Sequence, residues 1–226
     1  MQSTPHLFHF LLVVAAAAVV SACASTSTPI DSQQAAALAA RNVGSDIRAT
    51  ENQIDVTLSS LRAVVSSSQE PSQVAFDRFS DDVDMMRAQA LSVDKSVADM
   101  RKEGQTYLAN WATAHGNIQN QELRQASEER RRAILDRLQS MDESYNRSDA
   151  PLDAFIRNLE DVRTALGNDF TEMGVSTVSR TTVLKNAESN AAKAKIALKR
   201  MHADSVALEN TMPVNPGIQR SAALTQ

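Results

Sequence analysis

Apolar residues recur along most of this chain at alternating steps of three and four, the spacing of a helix that buries one stripe. The clearest stretch runs Phe76, Phe79, Val83, Met86, Ala90, Val93, Val97, Met100, Gly104, Tyr107, Trp111, Ala114 and Ile118 without a phase error. A half-buried strand would alternate every second residue, and no segment does so. Read as a helix, this stretch is about 65 Å long, well beyond an ordinary globular helix.

A second stripe begins near Leu123 and Ser127 and continues through Ile134, Leu138, Met141, Tyr145, Ser148, Leu152, Phe155, Leu159, Val162, Leu166, Phe170 and Met173. It keeps its phase across Pro151, which fits one kinked helix; a fresh start capped by Asp149 is the alternative, since proline is tolerated in a first turn. Shorter stripes flank the long ones: Ile54, Leu58, Leu61 and Val65, then Leu184, Ala187, Ala191, Ala194, Leu198, Met201 and Leu208. The expected fold is all-α, an elongated antiparallel bundle or coiled coil of four long helices at roughly 41–68, 72–116, 120–167 and 175–211, with Gly116 as a C-cap. The seven aromatics beyond residue 23 all lie on these stripes, so they are expected in the core.

A fold-back at 117–120 sets Trp111 opposite Ser127, Gly104 opposite Ile134, Ala90 opposite Ser148 and Val83 opposite Phe155, small often meeting large. Helices one and four would return from the other end and leave the hairpin tip less covered. Tip side chains, Trp111, Arg124, Arg130 and Arg131 among them, are therefore the candidates for contact with a partner.

The N-terminus carries a different signal. Phe10 to Val20 is an unbroken apolar run of eleven residues, too short for the roughly 20 that a spanning helix needs. It closes on Val20-Ser21-Ala22-Cys23, which resembles the bacterial lipoprotein signal, with Cys23 as the residue that is acylated and becomes the new N-terminus. The leader departs from that pattern in having no Lys or Arg before the run. By the same resemblance, Ala24 in place of Asp favours the periplasmic face of the outer membrane. The expected organisation is a signal peptide at 1–22, lipidated Cys23 with a flexible tether to residue 40, a helical domain at 41–211 and a disordered tail at 212–226. Ten tether residues would reach about 17 Å, keeping the domain near its membrane.

Composition narrows the chemistry. The 226 residues hold 27 acidic and 23 basic side chains, a net charge of −4, which disfavours a phosphate-backbone partner, so no nucleic acid is expected. One cysteine excludes a disulfide scaffold. His115 and His202 lie on different expected helices without metal-ligand spacing, and both read as surface residues. Asp81-Asp82-x-Asp84 lacks the glycine and closing glutamate of a calcium loop and reads as a solvated face. In Glu128-Glu129-Arg130-Arg131-Arg132, Glu128 is spaced to pair with Arg132, so a salt-bridged surface is favoured over an anion site. No phosphate-binding loop or nucleophile elbow occurs, so neither cofactor nor catalytic activity is expected.

Trp111, Asn120 and the run Leu123-Arg124-x-x-Ser127-Glu128-x-Arg130 resemble a bacterial family of long helical proteins defined only as a domain of unknown function, over residues 42–210. Pro151, Phe155 and the segment 166–175 add to the likeness. The resemblance implies an all-helical envelope protein and carries over no catalytic residue. The expected role is a non-enzymatic lipid-anchored scaffold that contacts an envelope partner or itself. Two other readings are a binding protein that opens around an apolar ligand between Phe79, Val83, Phe155 and Leu159, and a membrane-remodelling helical protein.

Overall fold

The computed structural model describes residues 29–66 and 71–212, and the protein is all-α, with five helices and no strand among the described residues. Helix α1 spans Pro29–Ser66, α2 Gln73–His115, α3 Gln121–Asn168, α4 Glu172–Arg180 and α5 Thr182–Thr211. The expected leader, Cys23 and residues 213–226 lie outside the described residues.

Side-chain caps start three of these helices. Ser72 Oγ accepts from Ala75 N, Asn120 Oδ1 from Leu123 N and Thr171 Oγ1 from Gly174 N, each satisfying an N–H that no preceding turn serves. Gly116 follows α2 as expected, but at φ −58°, so that turn does not require glycine.

Three boundaries correct the sequence reading. First, α1 starts at Pro29, so residues 29–40 are helix rather than tether. Proline suits a first turn and Asp31 suits the positive end of the helix dipole. Ser32, Ala36, Ala37, Ala39 and Ala40 are buried there, which makes this segment part of the core. Second, the expected fourth helix is two, because Thr181 adopts an extended conformation (φ −78°, ψ 166°) between α4 and α5. Its hydroxyl donates to the Val178 carbonyl, a local bond that competes with helix continuation. Third, Met212 is buried in the core instead of opening a tail. Helix α3 passes through Pro151 without interruption, so the fresh start at Asp149 does not occur.

Cross-helix pairs give the directions. Between α1 and α5, Arg41 pairs with Glu209 at 2.7 Å, Asp55 with Lys195 at 2.6 Å and Arg62 with Glu188 at 2.8 Å, so the two run antiparallel. Between α3 and α5, Ser144 donates to Asp204 and Asn190 to Asn158, again antiparallel. Between α2 and α3, Trp111 meets Ser127 and Arg101 meets Asp142 at 2.7 Å, and Phe76 packs tilted against Phe170, just past the end of α3, with ring centroids 5.0 Å apart. The α2–α3 register slips along the pair. Trp111 faces Ser127 as expected, yet Gly104 packs on Leu138 rather than Ile134. Ser127 and Arg163 are 36 positions apart, against 27 between their partners Trp111 and Asp84, so α3, which contains Pro151, takes the longer path.

The expected stripes form the core except at the two ends of the second, where Leu123 and Met173 are largely exposed. Phe79, Val83, Met86, Val97, Met100, Ile134, Met141, Phe155, Leu159, Leu166, Leu198 and Met201 are all almost wholly excluded from solvent. Phe79, Val83, Phe155 and Leu159 pack here, so a ligand between them would have to displace this packing. Among the described residues, no helix is long and apolar enough to cross a membrane.

Asp82 corrects another expectation, since it is buried rather than solvated, while Asp81 and Asp84 are exposed. A helix turns about 100° per residue, which is enough to put neighbours on opposite sides. The Asp82 carbonyl accepts from Gln53 Nε2 and Thr57 Oγ1, both at 3.2 Å, forming a polar layer between α1 and α2.

Candidate functional site

The end of the molecule formed by the α2–α3 turn holds most of the residues singled out from sequence. The indole Nε1 of Trp111 donates to Ser127 Oγ at 2.8 Å, and His115 Nδ1 lies 3.3 Å from the same hydroxyl. Tyr107 meets Trp111 edge-on with centroids 5.4 Å apart, and the Arg130 guanidinium sits 5.7 Å from the Trp111 ring centroid. The latter is within cation–π range. Burial pushes the Tyr107 phenol above its ordinary range, and the charge of Arg130 opposes that shift.

Arg124 and Arg131 are occupied differently. Arg124 donates through Nε and Nη2 to the Ile118 carbonyl at 3.0 and 2.6 Å, clasping the turn it follows. Arg131 makes a two-pronged pair with Glu128, at 2.9 and 2.8 Å, and Arg132 reaches the same carboxylate at 3.2 Å. The hydrogen bond from Arg131, reinforced by the Arg132 pair, holds the Glu128 carboxyl down to about 2. The spacing of Glu128 and Arg132 announced their pair; the stronger one to Arg131, three residues on, was missed. These pairs leave Arg130 as the arginine of the run that turns to the aromatic cluster.

The first turn of α1 completes this end. Ile30 and Gln33 line a shallow groove with Tyr107, Trp111, His115, Ile118 and Arg130. The turn itself is less covered, as expected, with residues 119–126 exposed, while the unforeseen start of α1 reaches its Trp111 side. Ile30 and Leu123 remain 54% and 63% exposed, so this end presents apolar side chains beside the Arg130 guanidinium.

His115 and His202 are each half-buried rather than on the surface. His202 packs beside Gly44 on α1, and its Nε2 is enclosed without a hydrogen-bond partner. Among the described residues, no group of three His, Cys, Asp or Glu side chains converges as a metal site. Cys23, the proposed lipidation residue, lies outside the described residues. Neither a protein-family model nor a curated protein matches the chain.

Proposed function

We propose that this protein is a non-enzymatic lipoprotein of the bacterial cell envelope, anchored through acyl groups on Cys23, whose four long helices work as one antiparallel bundle. The bundle serves as a spacer or scaffold, and its surfaces bind another envelope component or a second copy. One observation carries this reading: an eleven-residue apolar run closes on Val20-Ser21-Ala22-Cys23, and that cysteine is the chain's only one. A single acyl chain holds a protein marginally, whereas the two or three of a mature lipoprotein hold it firmly. Ala24 favours the periplasmic face of the outer membrane as the address.

The antiparallel ion pairs between α1 and α5 and the packed aliphatic interior support a rigid body suited to holding position. The resemblance of Trp111, Asn120 and the Leu123–Arg130 run to long helical envelope proteins points the same way. Membrane fractionation tests the reading. The native protein should pellet with membranes, and Cys23→Ser should move to the soluble fraction; a Cys23→Ser protein that stays firmly in the pellet contradicts the anchor.

A further inference from the structure

Where α1 begins has a consequence for how an anchored molecule stands. Pro29 is six residues after Cys23, and a chain spans at most about 3.5 Å per residue, so an acylated Cys23 lies within roughly 21 Å of the start of α1. That start is at the α2–α3 turn, because Ile30 and Gln33 line one groove with Trp111, His115 and Ile118. The same end projects beyond its neighbour. Arg41 pairs with Glu209 near the finish of α5, while α1 extends twelve residues the other way, so the tip stands about 15 Å past the end of α5.

The chemistry of this end suits a bilayer surface. Ile30 and Leu123 are largely exposed, Ile118 and Trp111 partly so, and tryptophan favours the boundary between headgroups and acyl chains. Exposed Arg124 and Arg130 stand against exposed Asp31, Glu122 and Glu129, so this end has no excess of positive charge that would demand an anionic surface. Resting on the lipid-anchor reading above, we propose that the α2–α3 turn and the first turn of α1 dock on the phospholipid surface that carries the Cys23 acyl chains. Ile30, Ile118 and Leu123 enter the headgroup layer, and Trp111 lies just above them. The opposite end, where Val74 and Met173 are each 77% exposed, is then held away from the membrane.

Trp111 is the only tryptophan, which makes the test direct. The chain from Cys23 to Gln226, which keeps every described residue, is coupled through its single thiol to a maleimide phospholipid in phosphatidylcholine vesicles. Bromine placed near the headgroups of the host lipid should quench Trp111 emission about twofold, as interfacial burial requires. A Trp111→Phe/Val74→Trp chain carries its reporter about 55 Å away along α2 and should not be quenched. Leu123→Asp, at an exposed position, should leave the helical circular dichroism unchanged and abolish the quenching.

Equal quenching at both ends, or none at Trp111, overturns the proposal. So does quenching seen only when the bromine is on the anchor's own acyl chain, because the groove would then hold that chain and not the bilayer. The chemical anchor does not depend on lipidation in cells. A failed vesicle result therefore counts against docking alone, and an unacylated Cys23 in cells counts against the anchor.

Discussion

Trp111 and Ser127 face each other across the α2–α3 turn, with the indole N–H donating to the serine hydroxyl at 2.8 Å. The bond fixes the register of two helices at the point where their connection is shortest. Ser127→Ala removes the acceptor of a partly buried indole and should cost about 1 kcal/mol. Denaturant titration followed by Trp111 emission checks this, and an unchanged midpoint would mean that the contact sets no register.

Gly104 and Leu138 carry the register one step further along the pair. A Cβ at residue 104 would stand 2.8 Å and 3.1 Å from the two Leu138 methyl carbons, so alanine there must push Leu138 aside. In a Leu138→Ala background the obstruction is gone and only the helix propensity of alanine remains, worth about 1 kcal/mol. Gly104→Ala should thus stabilise the Leu138→Ala protein more than the native one. A double-mutant cycle measures the coupling, and additive effects would contradict the packing.

Pro151 lies inside α3 and removes one backbone donor from the ladder. Pro151→Ala restores it and should raise stability by about 1–3 kcal/mol. A fall in the thermal midpoint would instead show that the longer path of α3 needs the proline.

The two tyrosines provide a pH signature. Burial, followed by the hydrogen bond from its hydroxyl to Asp94 at 2.9 Å, pushes Tyr145 up to about 12, and Tyr107 is also raised by burial. The folded protein therefore keeps protons that the unfolded chain releases near pH 10. Stability from this source is complete below pH 10 and is lost as pH rises toward about 12. Phenolate absorbance should rise only above the ordinary tyrosine range in the native state and return to that range in denaturant. Identical titrations in both states would contradict these environments.

Core substitutions offer a harsher check. Phe155 is fully buried, and Phe155→Ala should cost about 3–5 kcal/mol by equilibrium unfolding. A loss below about 1 kcal/mol would indicate a loosely packed interior with room for an apolar ligand.

The long stripes were legible because large apolar side chains at three-four spacing leave a helix few alternatives. Phe79, Val83, Met86, Val97 and Met100 are all buried where their spacing placed them. The start of α1 was not legible for the opposite reason. Its buried face is built from Ser32, Ala36, Ala37 and Ala40, and small residues signal a linker and a close helix contact equally well. Asp82 was misread because Asp81 and Asp84 are exposed and only the α1 register shows which of the three turns inward. The break at Thr181 depends on a side-chain bond to the Val178 carbonyl, which spacing alone does not reveal.

At the candidate site, sequence spacing brought Trp111 to Ser127 and Glu128 to Arg132. Arg130 over the indole and the arrival of Ile30 depend on tertiary placement, namely which face of α3 turns inward and how far α1 extends.

The anchor on Cys23 is the premise on which the proposed role stands, and the intact mass of the protein purified from native membranes tests it most directly. The account predicts a chain that begins at Cys23 and carries a diacylglyceryl group with added acyl mass. A chain still beginning at Met1, or one beginning elsewhere with an unmodified Cys23 thiol, would contradict it.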